Sequence, residues 1–188
     1  MDATKLGEIQ VFPGADEAVP LPELWRERPA LLFFMRQLGC GLCRQQLLRL
    51  RDLAGEFEAA GCGIAVIIMG DGRMAQGLRE LYKLPFTVYA DSTHGAYDAF
   101  DIGEGSLWDV LGPHIVARQA LTALNGMKPM WGAGSIRQLG GLVLIDEQSQ
   151  VLYRHIANPI YNYPAWESVL ETFAALRREG AEGQRVAS

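Results

Sequence analysis

Apolar residues fall in short runs along this chain, and their spacing changes more than once. Ala30-Leu31-Leu32-Phe33-Phe34-Met35 is continuous, lies between Pro29 and a turn at Gly39, and reads as a buried strand. From Cys43 the apolar positions Leu47, Leu50, Ala54 and Phe57 recur at helical spacing, one face of a helix that stops near Gly61. Ile64–Met69 is a second continuous run, rich in β-branched residues and suited to a strand covered on both faces. Arg73–Leu81 suits a helix, and Phe86–Ala90, after Pro85, a third strand. The order β-α-β-α-β predicts a parallel sheet with covering helices.

Further along, the pattern becomes that of a hairpin. Gly141–Ile145 and Val151–Ile156 are strand-like and are joined by the polar turn Asp146–Gln150. A closing helix, Trp166–Arg178, lines up Trp166, Val169, Leu170, Phe173 and Leu176. Ahead of the first strand, Leu6, Ile9 and Val11 alternate loosely, as in an opening strand or extended arm. Leu21, Leu24 and Trp25 suit a short helix beside Pro20 and Pro22. A parallel half, an antiparallel hairpin and a closing helix make up the thioredoxin-like order, an α/β fold with a central mixed sheet flanked by helices.

Between the halves lies a helical insertion around 106–134. Gly112-Pro113 splits it, Ile115–Leu124 suits a helix, and Met127, Pro129, Met130 and Trp131 follow in a loop. The length of 188 residues predicts one domain over 1–180, with 181–188 a small, polar, flexible tail. Trp108, Met127, Met130 and Trp131 give the insertion an apolar surface that fits a pocket wall, a homodimer contact or a cover over the core.

Composition narrows the function. The net charge is -5 and no basic cluster stands out, which speaks against nucleic acid. No apolar stretch approaches the roughly 18–20 residues of a membrane span. Met1–Gly7 lacks a basic head followed by an apolar run, so no secretory signal is read there. Three cysteines are too few for a secreted disulfide scaffold, and a reducing, cytoplasmic setting is expected.

Within that setting Cys40-Gly41-Leu42-Cys43 carries the chemistry. The pair sits where a strand passes into a helix, so Cys40 meets the unpaired N–H groups and positive dipole end that stabilise a thiolate. Cys43 follows about one turn later, in reach of a sulfur bound to Cys40. A zinc site would need four ligands, and Cys62, His94, His114 and His155 offer no matching spacing. Neither a metal nor an organic cofactor is expected. Cys62 opens a strand and reads as a small buried residue, and His155, within a strand, as a structural histidine. Arg36 and Arg44 flank the pair and either favour its thiolate or serve as surface charges. Gln138 precedes Gly140-Gly141 and either hydrogen-bonds the thiolate or substrate or supports a turn.

Phe33-Phe34-Met35-Arg36-Gln37-Leu38-Gly39-Cys40-Gly41-Leu42-Cys43-Arg44 resembles the active-site segment of peroxiredoxin-like proteins of the alkyl hydroperoxide reductase/thiol-specific antioxidant group. The likeness is to the subgroup with a C-x-x-C pair. Phe86–Asp91, Gln138–Gly141 with the strand to Asp146, and Tyr153-Arg154-His155 extend it over roughly residues 6 to 176. The resemblance implies a thioredoxin-like fold and thiol-based redox chemistry. Ordinary members place a proline seven residues, and a threonine or serine three residues, before the reactive cysteine; here those positions hold Phe33 and Gln37. The arginine they place before the later strand maps onto Gly140. Peroxide reduction is therefore expected to be slower than in ordinary members unless Arg36, Arg44 or Gln138 substitutes.

The expected chemistry is attack by Cys40 on a peroxide or disulfide, resolution by Cys43, and reduction by an external thioredoxin- or glutathione-like thiol. Arg36, Gln37, Arg44 and Gln138 are the candidate stabilisers of thiolate or substrate. Two alternatives stay open. One is a thiol–disulfide reductase or redox sensor without significant peroxidase activity, and the other a non-catalytic binding module of the same fold.

Overall fold

Apolar runs with no polar face need cover on both sides, and two such runs, 30–35 and 64–69, occupy the interior of the sheet. The computed structural model of the chain describes residues 3–124 and 135–186. The first half holds α1 (Ala3–Glu8), β1 (Gln10–Gly14), β2 (Glu17–Pro20), a 3₁₀ turn (Leu21–Trp25), β3 (Ala30–Phe34) and α2 (Gly41–Asp52). Then come α3 (Ala54–Ala59), β4 (Gly63–Met69), α4 (Gly72–Tyr82), β5 (Thr87–Asp91) and α5 (Gly95–Ala99). The remainder is α6 (Leu107–Leu111), α7 (Pro113–Leu124), β6 (Gly140–Ile145), β7 (Val151–Ala157) and α8 (Trp166–Val186).

The sheet has seven strands in the order β2-β1-β5-β4-β3-β6-β7. Strands β3, β4 and β5 are parallel, and β6, β7 and β1 add antiparallel pairings. This is the thioredoxin-like fold that the order of runs predicts. Phe34, the last residue of β3, pairs with Ile67 on one side and Gly141 on the other, so the chain leaves β3 between two neighbours.

Alternation along β3 feeds two cores. Leu31 and Phe33 pack with Leu47 and Leu50 of α2 and with Trp166, Val169 and Phe173 of α8. Leu32 and Phe34 face the other way, with Trp25, Tyr97 and Phe100. Each fully buried large side chain contributes about 1.5–3 kcal/mol, so the strand that delivers the cysteines is held from both sides. Two long-range hydrogen bonds add to this. Trp166 Nε1 donates to the Gln46 carbonyl at 3.1 Å and ties α8 to α2. The Tyr97 hydroxyl donates to the Met35 carbonyl at 2.6 Å and lies 3.1 Å from that of Ile67, at the ends of β3 and β4.

Several elements differ from the sequence expectation. The opening segment is helix α1 followed by β1: Ala3, Lys5, Leu6 and Glu8 favour helix, and only Leu6 needs cover. Strand β2, with two exposed residues and no apolar run, gave no signal. The helix after Cys43 breaks at Leu53, whose N–H is shared between the Arg49 and Leu50 carbonyls. Helix α8 continues past Arg178 to Val186, into the segment the sequence suggests is a tail; Glu179, Ala181, Glu182 and Gln184 are good helix formers. The insertion begins with a Ser106–Asp109 capping box on α6, and Gly112-Pro113 separates α6 from α7. Its Met127, Met130 and Trp131 lie outside the described residues. No helix among the described residues is long and apolar enough to cross a membrane.

Candidate active site

Beyond β3 the chain makes one more sheet contact, Met35 N–H to the Ile67 carbonyl at 2.9 Å, and then turns through Gln37–Cys40. Cys40 caps α2 in an extended conformation, and its sulfur accepts the N–H of Cys43 at 3.3 Å. Its carbonyl accepts from Arg44 N–H at 3.2 Å and starts the helix. Serine or aspartate oxygens usually play this part; a sulfur that receives an N–H at the positive end of a helix is favoured as thiolate.

The Cys43 thiol is held well above its ordinary value, first by its hydrogen bond to Cys40, then by burial and by the Cys40 charge. The Arg36 guanidinium and a hydrogen bond from the Arg36 backbone act in the opposite direction. The pair therefore suits one negative charge on Cys40 and one proton on Cys43. All three cysteines are unbridged.

Exposure does not distinguish the two thiols. Cys40 is 2% exposed and Cys43 0%, because Leu38, Leu42 and Leu139 share their apolar cluster. The difference lies in hydrogen bonding.

The four candidate stabilisers go to different places. Arg36 is 4% exposed; its guanidinium donates to the Ile136 carbonyl, while its Nε is buried without a partner among the described residues. Its charge reaches Cys43. Gln37 donates its amide to the Ser135 carbonyl at 2.9 Å and pins the segment that leads to β6. Arg44, also buried, reaches toward α4 and donates to the Tyr82 hydroxyl at 3.3 Å. Gln138 donates its amide to the Ile102 carbonyl at 2.7 Å and to those of Gly103 and Leu139 at 3.2 Å, which is the turn-supporting arrangement.

Cys62 is buried at the far end of β4, and burial pushes its thiol up to about 12. His155 shares a hydrogen bond with the Asn162 carbonyl, as a structural histidine does. Among the described residues no group of three or more His, Cys, Asp or Glu side chains gathers to hold a metal.

One residue at the site was missed from sequence. Tyr163, between β7 and α8, packs its ring edge-on against Phe33, with centroids 5.7 Å apart, and buries its hydroxyl without a partner among the described residues. Burial, then the charges of Cys43 and Cys40, hold that hydroxyl well above its ordinary value. Gly140 makes room for it: a Cβ there would lie 2.2 Å from the Tyr163 oxygen, 2.7 Å from the Phe34 carbonyl and 3.2 Å from Arg36 N. Gly141 instead admits the backbone of β7, since its Cβ would lie 2.6 Å from the His155 carbonyl. The signal in the sequence was Tyr161-Asn162-Tyr163-Pro164, aromatic residues in a short connection that must cross the end of the sheet.

Over residues 49–158 the chain matches the family described as AhpC/TSA antioxidant enzyme, a match that begins just beyond the cysteine pair. A relative from Arabidopsis thaliana, the chloroplastic thioredoxin-like protein AAED1, is 30% identical over 55% of this chain; the match spans 42% of that protein's length. A prostamide/prostaglandin F synthase from Xenopus tropicalis is 26% identical over 92% of this chain and 88% of its own. Among solved structures, Xanthomonas campestris peroxiredoxin Q superposes with a TM-score of 0.62 at 15% identity, covering 93% of each chain. Reduced Plasmodium vivax 2-Cys peroxiredoxin gives 0.64 at 13% identity, over 93% of this chain and 80% of its own. At those identities the superpositions speak for the fold.

Proposed function

We propose that this chain, which belongs to the AhpC/TSA antioxidant enzyme family, is a thiol peroxidase that uses Cys40 for attack and Cys43 for resolution. The observation that carries this reading is the Cys43 N–H directed at the Cys40 sulfur, with the Cys43 thiol held protonated beside it. Cys40 thiolate attacks one oxygen of a hydroperoxide. The S–O bond forms, the O–O bond breaks, and the departing oxygen takes the electron pair and then a proton, leaving as water or an alcohol. Cys43 next loses its proton and attacks the Cys40 sulfenic sulfur. The S–S bond forms and hydroxide leaves, with that proton, as water. An external thioredoxin- or glutathione-like thiol reduces the Cys40–Cys43 disulfide.

Burial of both thiols favours a small peroxide over a protein disulfide as the oxidant. The whole chain works as one thioredoxin-like domain, a reading supported by apolar cores that run from α1 to α8. Leu107, Trp108, Val116 and Leu121, exposed on α6 and α7, suit a homodimer contact, and a reducing cytoplasm suits the three unbridged thiols. Turnover with hydrogen peroxide should exceed reduction of insulin disulfides under the same external thiol. The reverse ranking would make the chain a disulfide reductase.

A further inference from the structure

Ordinary members of the group present a hydroxyl and a guanidinium to the peroxide, and this chain has Gln37 and Gly140 at those positions. Gln37 is engaged by the Ser135 carbonyl. The space at Gly140 is filled, and what fills it is the Tyr163 hydroxyl. That hydroxyl comes from a different part of the chain, the β7–α8 connection.

Two buried donors have no partner among the described residues, the Tyr163 O–H and the Arg36 Nε–H, and the side chains that carry them interact electrostatically with Cys43. The place a Cβ of Gly140 would take lies 2.2 Å from the first residue's oxygen and 3.2 Å from the second residue's backbone nitrogen. That same backbone nitrogen serves Cys43. Leaving a buried donor unpaired is costly, and such groups point to a ligand that pairs with them. A ligand that pairs with such a donor must bring an acceptor atom, and a hydroperoxide brings two oxygens.

We propose that the Tyr163 hydroxyl binds an oxygen of the hydroperoxide and, with the charge of Arg36, stabilises the negative charge that develops on the departing oxygen. This rests on the peroxidase reading above. In the attack step the thiolate pair of electrons forms the S–O bond, and the O–O pair goes to the departing oxygen. Tyr163 donates a hydrogen bond to that oxygen as it charges, and the proton that completes water or alcohol returns from solvent. Burial keeps the phenol protonated, the state in which it can donate. Arg36 contributes a fixed positive charge to the same oxygen.

Tyr163→Phe tests the assignment, because it removes only the hydroxyl. Stopped-flow oxidation of Cys40 by hydrogen peroxide should slow by about 10²-fold, the order seen when one preorganised donor is lost. Alkylation of Cys40 by iodoacetamide at the same pH should be unchanged, since that reaction charges no oxygen. The melting temperature should hold or rise, because a buried hydroxyl without a partner among the described residues is gone. An unchanged oxidation rate, or an equal loss in oxidation and alkylation, would overturn the role of Tyr163. A native chain whose Cys40 is alkylated but not oxidised by peroxide would overturn the peroxidase reading itself, and with it the proposal.

Discussion

Strands β3 and β4 carry buried cysteines at opposite ends, and the two ends could hardly be less alike in chemistry. At one end Cys40 and Cys43 follow β3; at the other Cys62 precedes β4, and all three side chains are sealed from water. Burial alone therefore does not sort them. Cys62 donates its S–H to the Gly63 carbonyl at 3.5 Å, and burial holds the proton on sulfur. Cys40 accepts an N–H at 3.3 Å, a donor that favours the thiolate. The backbone N–H of Leu31 also reaches Cys62, but burial outweighs it there, so reactivity follows from the balance between burial and the donors each sulfur receives. All three cysteines share one apolar cluster with Phe57 and Leu31, but the pair also has the buried Arg36 side chain and Tyr163 hydroxyl acting on it.

The largest expected contrast comes from removing one thiol at each end. Cys40→Ser should abolish peroxide-driven turnover, whereas Cys62→Ala should retain it. In Cys43→Ser, one added oxygen should be trapped on Cys40 as sulfenic acid, seen by intact mass and by labelling with a sulfenic-acid reagent. Sulfenic acid trapped on Cys43 in Cys40→Ser, with none formed on Cys40 in Cys43→Ser, would reverse the roles and break the comparison.

A smaller effect separates chemistry from scaffolding at the active end. Gln138→Ala strands the carbonyls of Ile102, Gly103 and Leu139, and should cost about 1–3 kcal/mol in urea unfolding. Its effect on Cys40 oxidation should be smaller than that of Tyr163→Phe. A large rate loss at unchanged stability would return Gln138 to the peroxide site.

The smallest effect is expected at the Cys62 end, in alkaline solution. Folded Cys62 keeps its proton to about 12, whereas an unfolded thiol ionises near about 8.5. Between those values the unfolded chain has lost a proton that the folded chain keeps, so this thiol makes stability fall as pH rises. Below that window it adds no slope. Cys62→Ala should shallow the alkaline fall in urea midpoints and leave the slope near neutrality unchanged. Identical alkaline slopes would show that Cys62 ionises freely in the folded chain.

The sequence made the frame legible because burial on two faces and burial on one face leave different patterns. The runs at 30–35 and 64–69, the hairpin after Gly140 and the split at Gly112-Pro113 all have local signals. The cysteine pair was legible for the same reason, since a helix start follows a strand end at a fixed spacing. Strand β2 and helix α5 had no such signal: one is short and half exposed, the other a single turn. Tyr163 was hidden because its meeting with Gly140 depends on how far the β7–α8 connection reaches across the sheet. Gln138 was read both ways, and only the position of the Ile102 and Gly103 carbonyls decided for support of the turn.

The most direct test is thiol mapping of the reduced chain after one equivalent of hydrogen peroxide, by intact mass and peptide analysis following alkylation. The account predicts a Cys40–Cys43 disulfide, with Cys62 recovered in its alkylated form. Oxidation at Cys62 ahead of the pair, or a pair that stays reduced while peroxide persists, would contradict it.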